Sequence, residues 1–129
     1  MTDPSRAAAI VIRRAVAADA RGIATVQVLT WRATYRGIVD DAYIDGLTIE
    51  AREARWRTML DTPPERAHDI FVAETRAEGV IGFASGGALR EPALSAECDA
   101  ELYAIYILPE SQRRGLGRTL VRAVARALL

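Results

Sequence analysis

The residues of this chain whose types and spacing could do chemistry stand together in one short stretch. Gln112-Arg113-Arg114-Gly115-Leu116-Gly117 sets two glycines two positions apart among arginines, and Arg118 and Thr119 follow at once. Glycines let a backbone come close to a ligand with no Cβ in the way. Where such a stretch opens a helix, the first turn also presents unpaired N–H groups and a partial positive charge, to which Arg113, Arg114 and Arg118 add full charges. The anion this suits best is a pyrophosphate. The competing account is a tight strand-to-helix turn beside a solvated arginine face. Two familiar phosphate patterns do not apply: Leu120 stands where a dinucleotide fingerprint needs its third glycine, and no Gly-Lys-Ser/Thr follows for a P-loop.

Two elements must position this stretch. Leu102 to Leu108 is an apolar and aromatic run, which predicts a strand buried on both faces, and Pro109 ends it. Beyond the glycines, Leu116, Leu120, Val121, Val124 and Leu128 recur at helical spacing, while Arg118, Arg122 and Arg126 take another face, which predicts an amphipathic helix.

Strand, turn and helix together resemble the signature of the GNAT superfamily, the acyl-CoA-dependent N-acyltransferases, whose pattern is Gln/Arg-x-x-Gly-x-Gly/Ala after a buried strand. Gln112, Gly115 and Gly117 fill its three fixed positions. The resemblance implies an α/β fold with a central mixed sheet flanked by helices on both faces, acetyl-CoA as co-substrate, an amine as acceptor and no metal. It further implies that backbone groups of Ile105, Tyr106 and Ile107 pair with the pantetheine arm. Arg113, Arg114, Gly115, Leu116, Gly117 and Arg118 would hold the pyrophosphate, with Thr119 a weaker addition, and backbone donors around Ile105 would polarise the thioester carbonyl.

Acyl transfer to an amine needs a group that accepts the amine's proton. Glu101 heads the strand, and its position relative to Gln112 and Gly115 resembles that of the catalytic glutamate in histone-acetylating GNATs. Partial burial there would raise its pKa toward the working range. The alternatives are an exposed strand-end glutamate and a base placed elsewhere or reached through water. Tyr103, two residues on, is expected on the same face of the strand, shaping the acceptor groove or lying in the core.

The totals bound the rest. The 129 residues make one domain, with half of them hydrophobic and no low-complexity tract. Seventeen basic side chains against seventeen acidic give no net charge to draw the whole protein to nucleic acid or to an anionic membrane. No run approaches the roughly 18 apolar residues of a membrane span, and no signal-peptide stretch opens the chain, so a cytoplasmic protein is expected. Cys98 and His68 are the only residues of their kinds, which leaves zinc and Ser-His-Asp chemistry with little support.

Upstream, Ile10 to Arg14 predicts a first strand, and Asp19 is the expected N-cap of a helix running to about Arg32. Trp31, Tyr35 and Tyr43 bracket Gly37 and the acids Asp40, Asp41 and Asp45. Residue for residue this reads as core and solvated surface. Under the resemblance it becomes a wall of the acceptor groove, with Trp31, Tyr35 and Tyr103 as substrate contacts, and an acidic, aromatic wall would favour an amine. Thr48 is expected to cap a second helix, which Pro63-Pro64 stops. Ile70 to Thr75 and Val80 to Ala84 predict a hairpin, with Gly82, Gly86 and Gly87 marking a bulge, a close approach or the strand's end.

GNAT domains continue past the phosphate-turn helix through further strands and a helix, so the expectation is a GNAT-like fold lacking its C-terminal strands and helix. The apolar ending Ala127-Leu128-Leu129, with no glycine stop, argues for truncation. A domain completed by a partner chain and one that retains only CoA binding stand beside it, and an exposed sheet edge would invite a homodimer. The functional expectation is an N-acetyltransferase that moves an acetyl group from acetyl-CoA to a primary amine of a small molecule or peptide. The rival is a non-catalytic acyl-CoA-binding or assembly module.

Overall fold

The computed structural model describes residues 9–61, 69–87, 101–112 and 115–128. Four strands, β1 (Ile10–Arg14), β2 (Asp69–Thr75), β3 (Gly79–Gly87) and β4 (Glu101–Ile107), form one sheet in the order β1-β2-β3-β4. All three described pairings are antiparallel, where the sequence predicts a mixed sheet. Between β1 and β2 the chain forms α1 (Ala20–Tyr35), the short α2 (Asp41–Asp45) and α3 (Ile49–Leu60). After β4 a single 3-10 turn at Pro109–Ser111 leads toward α4 (Leu116–Leu128).

Local chemistry sets most of these boundaries. Thr48 Oγ1 accepts the Ala51 N–H at 3.2 Å and starts α3 as expected. Asp40 Oδ1 does the same for α2 with the Ala42 N–H at 3.0 Å. Asp19 precedes α1 but does not cap it. Its carboxylate takes two 2.8 Å bonds from the Arg13 guanidinium and one from the Val16 N–H. A bidentate charged pair outweighs a single capping bond. Arg13 also reaches both oxygens of Glu74 and the Arg14 carbonyl, so all five of its N–H donors are used.

The sheet carries a core on each face. Ala20, Ile23, Ala24 and Val26 of α1 and Trp56 of α3 cover Ile70, Val72 and Phe83 on one side. Leu116, Leu120 and Val124 of α4 cover Ala73, Ile81 and Ala84 on the other. These three α4 residues recur every four positions, and Val121, one step off that stripe, is 38% exposed rather than core. The glycines of β3 prove to be close approaches, for the strand continues through Gly87. A Cβ on Gly86 would lie 2.6 Å from Val124 Cγ1, so α4 packs as near the sheet as it does because Gly86 carries no side chain.

β4 departs from expectation. Its residues are half-buried at best and Leu102 is 41% exposed, because among the described strands β4 is outermost, with β3 on one side only. An apolar run does not by itself distinguish a central strand from an edge one.

Candidate functional site

The strand-to-helix turn is built from its glycines and Gln112. Gly115 has φ +72, a left-handed conformation that an L side chain resists, and nothing lies within 4 Å of where its Cβ would point. Its carbonyl accepts both the backbone N–H and the hydroxyl of Thr119, so Thr119 secures the first turn of α4. Gly117 is different. A Cβ there would sit 3.5 Å from Ile107 Cδ1 and 3.6 Å from Ile105 Cδ1, ordinary contact, so the protein itself leaves room for alanine. Leu116 is buried, whereas Arg118 is exposed on the outer side of the helix start. The Gln112 side-chain amide donates to the Ile107 carbonyl at 3.0 Å, tying the turn to the end of β4. Arg113 and Arg114 lie outside the described residues.

The faces of β4 follow from its register. Ile105 and Ile107 join the α4-side core, and Tyr106 joins the α1-side core. Simple alternation would put Glu101, five residues before Tyr106, on the α4 side. The register prevents this. Ser85 faces Ala104 but the next residue, Gly86, faces Leu102, leaving Tyr103 as an extra residue. Gly86 points toward α4, so Gly87 and its register partner Glu101 point to the other face. The Tyr103 ring lies there too, since a Cβ on Gly87 would be 2.9 Å from its hydroxyl. The bulge therefore brings Glu101, Tyr103 and Tyr106 to one face.

Across from them stands α1. The Trp31 indole N–H donates to Tyr106 Oη at 3.1 Å, and the Tyr35 ring lies 4.5 Å from that of Trp31. Tyr106 continues into the core through Phe83 at 5.4 Å, and Phe83 meets Trp56 edge-on at 5.2 Å. A cavity of about 110 Å³ opens between α1, α3 and β4, lined by Gln27, Val28, Trp31, Leu47, Arg52 and Tyr106. Of the expected substrate contacts, Trp31 lines this cavity, Tyr35 packs against Trp31, and Tyr103 stands further along β4.

The sequence reading missed Gln27, Leu47 and Arg52, which lie on three separate elements and share no local pattern. Gln27 accepts the Trp56 indole N–H at 2.8 Å, and the Arg32 guanidinium donates to the Leu47 carbonyl at 2.8 Å. The acids of the expected wall are exposed, and each already has a partner within the chain. Asp40 is a helix cap, while Asp41 and Asp45 pair with Arg36 at 3.5 and 2.7 Å. Those pairings raise the Arg36 pKa further, chiefly through the hydrogen bond to Asp45. Tyr43 is 54% exposed. Among the described residues no helix is long and apolar enough to cross a membrane, and no group of three or more His, Cys, Asp or Glu is placed to hold a metal.

Known proteins share this fold. An N-acetyltransferase of Bacillus subtilis strain 168, YuaI, itself uncharacterised, is 37% identical over 120 residues, which span 93% of this chain and 65% of the relative. The chain thus spans slightly under two thirds of that curated relative's length. The PaiA N-acetyltransferase of Thermoplasma acidophilum, solved in complex with coenzyme A, superposes with a TM-score of 0.73 at 21% identity over 93% of this chain and 72% of its own. The ribosomal-protein-alanine N-acetyltransferase of Brucella melitensis biovar Abortus 2308 gives 0.60 at 17% identity, over 92% and 70%. The family model for the GNAT acetyltransferases matches residues 28–129, from the middle of α1 through the glycine turn and α4. With Gln112, Gly115 and Gly117 in that turn and an antiparallel sheet between helices, the chain belongs to the acetyltransferase (GNAT) family.

Proposed function

We propose that this chain binds acetyl-CoA along β4 and the glycine turn and transfers the acetyl group to a primary amine of a small molecule or peptide. The observation that carries the reading is the turn itself. Gly115 is left-handed and open on its outer side, the N–H groups of the α4 start follow it, and Gln112 anchors it to Ile107. The outer edge of β4 faces no other described strand. Leu108 pairs with Ile81 of β3, so alternation turns the Tyr106 backbone to β3 and the Ile105 backbone outward. In this reading Ile105 pairs with the extended arm, while Tyr106 offers its side chain and the Ile107 carbonyl accepts from Gln112. Arg118, and in sequence Arg113 and Arg114, supply positive charge beside the same turn. A cytoplasmic setting, where acetyl-CoA is at hand, belongs to this reading.

In the reaction the amine nitrogen forms a bond to the acetyl carbon, the carbon–sulfur bond breaks, and coenzyme A leaves as thiolate to be protonated. The chain's part is to take the proton from the amine and to stabilise the tetrahedral oxygen. Glu101 is assigned the first role, since the bulge sets it on the face of Tyr103, Tyr106 and Trp31. Backbone donors around Ile105 are assigned the second.

Calorimetric titration of the chain with acetyl-CoA, with free CoA release followed over a panel of amines, tests the reading. Binding with release is expected. Binding without release from any amine supports the non-catalytic acyl-CoA-binding module instead. For Glu101→Gln, kcat should fall by about 10²- to 10⁴-fold, the usual worth of a general base, while acetyl-CoA affinity holds. Unchanged turnover removes Glu101 from the mechanism.

A further inference from the structure

Among the described residues, the cavity between α1, α3 and β4 is lined by one charged side chain, Arg52, and by no carboxylate. The Trp31 indole N–H donates to Tyr106 Oη and the Gln27 side-chain oxygen accepts from Trp56, so the Gln27 amide N–H groups and the Tyr106 hydroxyl hydrogen are the other donors of the lining. Arg13, Arg14, Arg21, Arg36 and Arg57 each meet a carboxylate within 3.5 Å. Arg52, a half-buried residue, lines the cavity with no hydrogen-bond or ion-pair partner for its guanidinium among the described residues. Arg32 donates to the carbonyl of Leu47, itself a lining residue, and among the described residues it too pairs with no carboxylate. A guanidinium stays charged at any pH the protein meets. In a cavity that supplies it no counter-ion, it is a ready partner for an incoming oxyanion, which a guanidinium meets with paired, charged hydrogen bonds.

Resting on the acetyl-transfer reading above, we propose that the acceptor carries an anionic group as well as its amine, and that this group enters the cavity against Arg52. The volume of about 110 Å³ suits a carboxylate or similar oxyanion on a methylene or two, given the ~30 Å³ that a water occupies in the liquid. Tyr106, one residue from Ile105, forms the wall nearest β4, so an acceptor a few atoms long reaches from Arg52 to the strand. A polycation would instead meet like charge here, since Arg52 is the charged side chain among the described residues that line the cavity.

The test compares β-alanine with β-alaninamide, which differ in charge but hardly in shape, and adds 2-aminoethylphosphonate and 1,3-diaminopropane, for wild type, Arg52→Met and Arg52→Lys. Wild type should prefer the acids. The ratio of kcat/KM for acid over amide should fall on the order of 10- to 100-fold in Arg52→Met, the worth of one charged hydrogen bond, and be largely kept by Arg52→Lys. Comparing β-alanine with the phosphonate tells which oxyanion is favoured. A ratio unchanged in Arg52→Met overturns the proposal.

A readout independent of turnover is the indole N–H signal of Trp31, one of two tryptophans, titrated with propionate and with propionamide. Propionate should shift it saturably in wild type and not in Arg52→Met, with an unchanged melting temperature reporting an intact fold in the variant. No shift in wild type, or the same shift in both, overturns the anion site. Arg52-dependent propionate binding without CoA release from any amine upholds the anion site and overturns acetyl transfer. Release that ignores acceptor charge does the reverse.

Discussion

At the scale of single residues, the two glycines of the signature are not equivalent. Gly115 is required by its backbone: at φ +72 an alanine is strained by about 1 kcal/mol, with no clash to blame. Gly117 has ordinary contact distances around its absent Cβ and lies in a helix, where alanine is favoured by roughly 0.5–1 kcal/mol. Gly117→Ala should therefore keep or slightly raise thermal stability, whereas Gly115→Ala should lower it, as calorimetric melting would register. Gly115→Glu adds a side chain and a negative charge to the outer face of the turn, and acetyl-CoA binding should be lost. Retained binding would remove the turn from the phosphate site.

At the scale of elements, α4 rests on the sheet through Leu116, Leu120 and Val124, and its approach is set by Gly86. Leu120→Ala should cost about 2–5 kcal/mol in urea unfolding through the cavity it leaves. Gly86→Val should be as damaging for the opposite reason, since even its Cβ would fall 2.9 Å from the Glu101 carbonyl and force α4 or β4 to move. Should Gly86→Val melt like the parent, the close packing of α4 is wrong. Element identity was legible in the sequence because each signal was local: the Thr48 cap, the leucine spacing of α4, the hairpin around Gly79. The short α2 was not, since five residues are too few for a periodicity, and α1 runs on to Tyr35, past the expected end at Arg32. The motif glycines were legible for the same local reason, while the cavity wall was not. Gln27, Leu47 and Arg52 meet only through the packing of α1, the α2–α3 link and α3.

At the scale of the whole molecule, equal numbers of acidic and basic residues leave little long-range field, so individual pairs decide how stability responds to pH. Arg13 joins β1 to the start of α1 and to β2 by holding Asp19 and Glu74. Its hydrogen bonds lower the pKa of both carboxyls. A carboxyl lowered on folding adds stability that is complete above its unfolded pKa, near 4 for aspartate, and is lost as the pH falls through the lower folded value. Asp19→Asn should thus cost about 2 kcal/mol near neutral pH, given the charged hydrogen bonds removed. That deficit relative to the parent should shrink below about pH 4 as the parent's own carboxyl protonates. A deficit constant down to pH 2 would show that the pair does not matter.

The extra residue at Tyr103 also bears on how such chains are aligned with one another. It resets the phase of β4, so the side of the sheet a residue occupies depends on the count between it and the bulge as much as on its identity. Placing a gap one position to either side within 101–104 would leave percentage identity almost untouched and yet transfer a glutamate from the Trp31 side to the α4 side. In comparing relatives, the register opposite Gly86 and Gly87 is the safer guide to which carboxylate corresponds to Glu101.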